Sequence, residues 1–255
     1  MRYLGGKRRL AKHIRDIILE DVTERTHYYE PFIGGGAVGA VMGGLFEHAH
    51  YSDIQLDLIL MWQALNDGWE PPTEVSVERY QELKRADPSP ERGFVGFGGS
   101  FGGRFFAGYA KGGHQASGAP RNHQAESARA VLRDISGMQA LKSTTFSCVD
   151  YADIRPEAGA VVYCDPPYAD TTGYESTDDF DSDRFWKIAQ SWTESGAHVY
   201  VSSYQAPAGW IPVMVRSHRS SVKRGDEERH VAREVLYKFS GGAPVPVSFD
   251  KMVVA

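Results

Sequence analysis

His27-Tyr28-Tyr29-Glu30-Pro31-Phe32-Ile33-Gly34-Gly35-Gly36-Ala37-Val38-Gly39 is the stretch on which the fold turns. Its first half is aromatic and strand-like, and its second half is a glycine turn that a strand interior would not tolerate. On the amino-terminal side, Leu10, Ile14, Ile17 and Ile18 recur at helical spacing from about Lys7 to Glu20. On the other side the pattern predicts a helix through Val41 and Leu45, then His50-Tyr51-Ser52-Asp53 as a second strand ending in an acid. Ile54, Leu58, Met61, Trp62 and Leu65 mark the next helix. Strands alternating with helices in this way favour an α/β domain, a parallel sheet covered by helices.

The alternation breaks after Asp67, where Trp69-Glu70-Pro71-Pro72 reads as a turn, and ten of the 26 residues from Gly93 to Gly118 are glycine. Residues 68–139 are therefore expected to be an insert. It should hold a short helix near Val77 to Lys84, a glycine-aromatic loop, and a helix carrying Val131, Leu132, Ile135 and Met138. The sheet resumes with Thr144 to Cys148, Ala160 to Cys164 and Ala197 to Val201, with a helix around Phe185, Trp186, Ala189 and Trp192 before the third. Val213 to Arg216 and Glu234 to Phe239 suit an antiparallel hairpin at one edge. There is no internal repeat.

Composition sets the outer bounds. The chain has 255 residues, 42% apolar and 24% charged, which is enough for a large core in one domain with an insert. No run approaches the roughly 18 apolar residues of a membrane helix, and no apolar run of signal-peptide type follows the basic amino terminus, so a cytoplasmic protein is expected. Cys148 and Cys164 are expected to be reduced and buried. A net charge of −5 argues against a polyanionic partner, yet Arg79 to Arg133 hold nine basic and four acidic residues. Mixed with Phe94, Phe97, Phe101, Phe105, Phe106 and Tyr109, those cations are what a nucleic-acid surface would use. A second basic group, Arg216, Arg219, Lys223, Arg224, Arg229 and Arg233, surrounds Gly225-Asp226-Glu227-Glu228 and suits a hairpin tip facing DNA as well as a solvated surface. His13, His114, His123, His198, His218 and His230 lack metal-ligand spacing, and no metal is expected.

Two motifs carry chemistry. Gly34 to Gly39 satisfies Gly-x-Gly-x-x-Gly between a strand and a helix, and Asp53 closes the next strand 19 residues after Gly34. Glycines let a ligand approach the backbone, and an acid at the end of the second strand can accept protons from ribose hydroxyls. A dinucleotide is equally allowed by that pattern. The sharper signal is Val161-Val162-Tyr163-Cys164-Asp165-Pro166-Pro167-Tyr168, a strand stopped by two prolines at its carboxyl end. Asp165 and the Pro166 carbonyl could accept the two N–H protons of an exocyclic amine while Tyr168 stacks on the base. Cys164, inside the strand and before Asp165, reads as packing rather than as a nucleophile.

Together these pieces resemble the Dam-like DNA adenine-N6 methyltransferase family, over nearly the whole chain. Tyr3-x-Gly5-Gly6-Lys7 is similar to its aromatic-x-Gly-Gly-Lys motif, Glu30 to Gly36 to its Glu-Pro-Phe-x-Gly-x-Gly, Ser52-Asp53-Ile54 to its Asp-Ile-Asn, and Asp165 to Tyr168 to its Asp-Pro-Pro-Tyr. The resemblance implies a Rossmann-like class I methyltransferase sheet, mostly parallel with an antiparallel edge hairpin, plus a small recognition insert. It assigns residues 1–67 and 140–255 to a catalytic domain and residues 68–139 to target recognition. It implies S-adenosylmethionine as methyl donor, held by Tyr3, Lys7, Phe32, Gly34, Gly36, Asp53, Asp150 and Asp165. Asp165, Pro166, Pro167 and Tyr168 would be catalytic. Gln55 stands where the family usually has Asn, and Phe97 to Phe106 replaces its Arg-x-x-Phe-Asn element.

An amine conjugated to a purine ring is a poor nucleophile, so acceptors that draw on both N–H protons favour a more tetrahedral nitrogen whose lone pair meets the methyl group. A paired base must first leave the duplex stack, and the insert, through Arg104, Lys111 and Arg121, is the expected source of compensating DNA contacts. The same acceptors could serve cytosine N4, the glycine turn alone could serve a NAD-dependent oxidoreductase, and a non-enzymatic DNA-binding role also fits. The expected partner is double-stranded DNA, with no membrane, and the protein is expected to be a monomer or weak dimer.

Overall fold

The computed structural model describes residues 1, 3–114, 118, 120–167, 180–219 and 231–240, the side chains of 217–219 and 231–233 excepted. Tyr168, Lys223, Arg224, Arg229 and Gly225 to Glu228 lie outside the described residues, as do the side chains of Arg219 and Arg233. The chain divides into two compact units, Met1–Lys12 with Thr26–Ile154, and His13–Arg25 with Arg155–Ala255.

In the first unit, three strands run parallel in the order β3-β2-β1: β1 (His27–Glu30), β2 (His48–Asp53) and β3 (Ser143–Cys148). Tyr28, Tyr51 and Phe146 point to one face, as the period of two requires, and there Tyr51 stacks on Phe146 (ring centroids 5.1 Å). Trp62, from α3 (Leu56–Asn66), lies over Phe146, and Met138, from α6 (His123–Met138), is fully buried. Between β1 and β2 run α2 (Gly39–Met42) and a 3₁₀ turn (Gly43–Leu45). The remaining helices of this unit, α4 (Val77–Arg85) and α5 (Pro90–Gly98), begin where the sequence supplies caps. Ser76 Oγ accepts the Arg79 N–H (3.1 Å), Ser89 Oγ accepts the Arg92 N–H (3.2 Å) with Pro90 opening the helix, and Asn122 caps α6 through the Ala125 N–H (2.8 Å).

The second unit carries β4 (Val161–Cys164), β5 (His198–Ser203), β6 (Trp210–Arg219) and β7 (Val231–Phe239) in the order β4-β5-β7-β6. β4 and β5 are parallel, β7 is antiparallel to both β5 and β6, and the register shifts between Pro212 and Met214. The antiparallel pair is the expected edge hairpin, longer than its sequence signal. The first helix, α1 (Ala11–Asp21), buries Ile14 and Ile18 and ends with Asp21 accepting hydrogen bonds from Tyr200 Oη and Lys238 Nζ. α7 (Ser182–Glu194) buries Phe185, Ala189 and Trp192 at helical spacing. The strand types, directions and helix alternation make this a Rossmann-like α/β fold.

Three expectations are corrected. Gly93 to Gly98 is not a loop but the greater part of α5, because glycine there serves close packing rather than flexibility. A Cβ on Gly93 would stand 2.1 Å from the Asp57 carbonyl oxygen of α3, and one on Gly96 would stand 2.3 Å from Phe105. The aromatic residues from Phe94 to Tyr109 pack inside rather than present a surface. Phe94, Phe97 and Phe106 are buried, Phe105 and Tyr109 half-buried, and of the six only Phe101, at 76%, is exposed. Cys148 is exposed and only Cys164 is buried, because β3 is the outer strand and Phe146 is its single buried residue.

Candidate active site

The glycine turn is held from three sides. Gly34 and Gly36 have φ of 44° and 67°, a region that side chains disfavour. The Gly34 N–H donates to Asp53 Oδ2 (3.1 Å), the Gln55 N–H donates to Asp53 Oδ1 (3.1 Å), and Trp62 Nε1–H donates to the Gly34 carbonyl (3.2 Å). Tyr3 lies on the turn so closely that a Cβ on Gly34 would sit 2.8 Å from its ring and one on Gly35 2.6 Å from its Cβ. The Tyr3 ring also meets Phe97 at 5.1 Å. Four sequence-based candidates, Tyr3, Gly34, Gly36 and Asp53, thus meet at one place. Trp62 is a fifth participant that periodicity registered only as a core helix residue.

A Cβ on Gly36 would stand 2.0 Å from Met138 Cε and 2.9 Å from the Trp62 ring. Gly36→Ala is therefore expected to cost about 2–4 kcal/mol, left-handed strain plus overpacking, read as a fall in the thermal midpoint. A variant as stable as the parent would show that the turn relaxes freely.

Around Asp53 the surroundings are mixed. Burial pushes its carboxyl above the ordinary aspartate value, against the opposing pull of the Gln55, Gly34 and Ile54 N–H groups. Beside it Ile54 is 75% exposed and Leu56 is also exposed, a bare apolar ledge next to an acid. Cys148 Sγ–H reaches the Ile54 carbonyl (3.5 Å), and partial loss of solvent first, then the Asp53 charge, push that exposed thiol up. Phe32 is half-buried against Tyr151 (5.3 Å), and Asp150 caps the short turn Tyr151–Asp153 through the Ala152 N–H (2.8 Å). Lys7 is buried, with Nζ donating to the Gly5 carbonyl (3.1 Å).

In the second unit, β4 is buried along its length and stops at Cys164. Asp165 follows half-buried, Pro166 buried and Pro167 half-buried. Tyr163, the residue before Cys164, shares a hydrogen bond with Ser202 of β5 (2.9 Å), which pins the strand end from which Asp165 emerges.

The cations of residues 79–133 sort into two groups. Arg79 pairs with Glu82 and Glu91, Arg92 with Asp57, Arg121 with Glu126 and Arg133 with Asp134, while Lys84 donates to the Phe106 carbonyl. Arg85, Arg104, Lys111 and Arg129 are exposed and have no carboxylate partner among the described residues. Of the three cations expected to meet DNA, Arg104 and Lys111 stand in the second group and Arg121 in the first. Among the described residues no group of three or more His, Cys, Asp and Glu could hold a metal ion, and no helix is long and apolar enough to cross a membrane.

Comparison with known proteins gives one strong likeness. The model of the D12 class N6 adenine-specific DNA methyltransferases matches residues 3–97 and 109–233. No curated protein matches. Among solved structures, the magnesium protoporphyrin IX methyltransferase of Synechocystis PCC 6803 with bound SAM is 9% identical, with a TM-score of 0.39 over 92% of this chain and 81% of that one. The chain yhhF of Escherichia coli, named as a methyltransferase, is 14% identical, with a TM-score of 0.35 over 91% and 86%. Those two likenesses are weak. The family match runs across the glycine turn, Asp53 and the Asp165-Pro166-Pro167 strand end alike, and on that ground the chain belongs to the D12 class N6 adenine-specific DNA methyltransferases.

Proposed function

We propose that this adenine-N6 DNA methyltransferase holds its donor at the glycine turn of the first unit and takes its target base, turned out of duplex DNA, at Asp165-Pro166-Pro167-Tyr168. The donor is S-adenosylmethionine, which when bound supplies an electrophilic methyl group on a sulfonium. The observation that carries the reading is the Asp53 carboxylate, fixed by the Gly34 and Gln55 N–H groups beneath a glycine turn on which Tyr3 lies. A carboxylate has acceptor capacity beyond those two bonds, enough for ribose hydroxyls. The exposed Ile54 beside it suits the apolar face of a nucleoside. Phe32 and Asp150 complete the donor site, with Lys7 behind it.

In the second unit, Asp165 and the Pro166 carbonyl accept hydrogen bonds from the two N–H groups of the amine, which leaves the nitrogen lone pair free to take the methyl group, the one surplus proton of the methylated amine passing to Asp165 or solvent. The prolines keep the backbone there from donating hydrogen bonds that would compete for the carboxylate. Tyr168 stacks on the base. Residues 68–139 meet the DNA, with Arg104 and Lys111 on phosphates or guanine edges and Arg121 orienting the surface through Glu126. The protein acts as a monomer or weak dimer in the cytoplasm of a prokaryotic or virus-infected cell. The oxidoreductase reading gives Asp165 to Tyr168 no task.

Asp53→Asn tests the donor site directly. Losing the charged acceptor is expected to weaken S-adenosylmethionine binding about 10-fold or more, measured by titration calorimetry. The parent's affinity should fall as pH falls through the carboxyl's raised pKa, because protonation removes the charge that the ribose hydroxyls seek. The variant should lose that dependence. Equal affinities at neutral pH would remove Asp53 from the site.

A further inference from the structure

Asp134, in the carboxyl-terminal half of α6, is 2% exposed, and neither the donor nor the target base has been given a use for it. A buried carboxylate needs charged donors to replace its lost hydration. Here they arrive from two places in the chain. The Met1 amino nitrogen donates to Asp134 Oδ2 (3.1 Å), and Arg8 donates to both oxygens, Nη1 to Oδ1 (3.0 Å) and Nη2 to Oδ2. Two parallel N–H···O bonds fix the direction of the guanidinium as well as its distance.

Tyr3 lies between those two anchors. The Gly6 N–H donates to the Tyr3 carbonyl (3.1 Å), and the Leu4 N–H donates to the Gly103 carbonyl (3.4 Å). On its free side the Tyr3 ring meets Phe97 of α5, and on the other it lies on Gly34 and Gly35. One carboxylate of α6 therefore ties the chain before and after the ring that covers the glycine turn. A ring fixed in place before a ligand arrives spares that ligand the entropy of ordering it.

We infer that Asp134 is a positioning residue for donor binding: through Met1 and Arg8 it sets Tyr3 against the glycine turn. The inference rests on the reading that S-adenosylmethionine sits at that turn with Tyr3 as one of its contacts.

Asp134→Asn keeps the shape of the side chain and gives up its charge. It should raise the Kd for S-adenosylmethionine about 10-fold by titration calorimetry, while kcat at saturating donor and KM for duplex DNA stay within about twofold. The decisive measurement is a double-mutant cycle. Tyr3→Ala alone should weaken donor binding about 10-fold, and Asp134→Asn added to it should change Kd by less than about twofold, because the ring through which Asp134 acts is gone. Losses that multiply make Asp134 merely structural and overturn the inference. So does an Asp134→Asn protein with parental Kd beside a weakened Tyr3→Ala protein, an outcome that leaves the donor site where it was placed. A Tyr3→Ala protein with parental Kd overturns the inference as well, and if Asp53→Asn also binds normally, the donor-site reading falls with it. Should Asp134→Asn melt below the assay temperature, Arg8→Met takes its place in the cycle. The Met1 amine still faces the carboxylate in that variant, so the fold should hold, with Kd raised about 3-fold and the same failure to multiply with Tyr3→Ala. Parental affinity in Arg8→Met would then overturn the inference.

Discussion

Asp165→Ala is expected to lower kcat for methyl transfer by about 10²–10³-fold, the scale on which a single placed electrostatic group acts in other active sites. The reason lies in the nucleophile. Until both amine protons are drawn toward acceptors, the lone pair stays in the purine π-system and the methyl group meets no electron pair. Alanine removes the charged acceptor and leaves the Pro166 carbonyl alone. Asp165→Asn should fall nearly as far, since its NH₂ would face the amine donor to donor. Because Asp165 is half-buried and follows the end of β4, the variant should keep its fold within about 1 kcal/mol. The check is transfer of a labelled methyl group to DNA at saturating DNA and donor, alongside a circular-dichroism melt. A variant that retains a tenth of the parental kcat and melts normally would strip Asp165 of its role.

The largest expected effect on stability lies at the contact of α3 with α5. Asp57 is almost fully buried and pairs with Arg92, which is itself mostly buried. The Ser89 N–H donates to the same carboxylate (3.1 Å), and Arg92 Nε–H donates to the Leu83 carbonyl (3.0 Å). The guanidinium lies 5.1 Å and 5.5 Å from the ring centroids of Phe105 and Phe106. Arg92→Leu would leave a buried carboxylate with no counter-charge, a loss of about 3–5 kcal/mol. The thermal midpoint should fall by roughly 10 °C for a chain of this size. Asp57→Leu/Arg92→Leu should recover most of that, because removing both charges together leaves no buried ion without its partner. If the double variant melts as low as the single one, packing rather than charge holds the two helices together. The pair also takes Arg92 out of the set of cations open to an outside anion.

Much of the candidate site was legible before any fold was known. The glycine turn, Asp53 and the Asp-Pro-Pro-Tyr strand end are local signals, because glycine and proline constrain the backbone where they stand and an acid at a strand end is fixed by its neighbours. The gathering of Tyr3 onto Gly34 and Gly35 was not legible from spacing, since about thirty residues separate them and only packing brings the ring down. The resemblance alone had put them in one site. Nor could spacing show that Trp62 would hold the Gly34 carbonyl, or that Asp134 would gather Met1 and Arg8.

By itself the sequence determined the type and order of the strands and of every long helix but α5, and the two chemical motifs. Each depends on periodicity or on backbone constraints that act within a few residues. Only the tertiary structure decided which side chains remain available. Five of the six aromatics from Phe94 to Tyr109 went inside or half inside while Phe101 stayed out, Cys148 ended exposed on an outer strand, and Arg79, Arg92 and Arg121 were taken up by carboxylates. Availability depends on which distant groups arrive at the same place, and pairwise burial of that kind has no period along the chain.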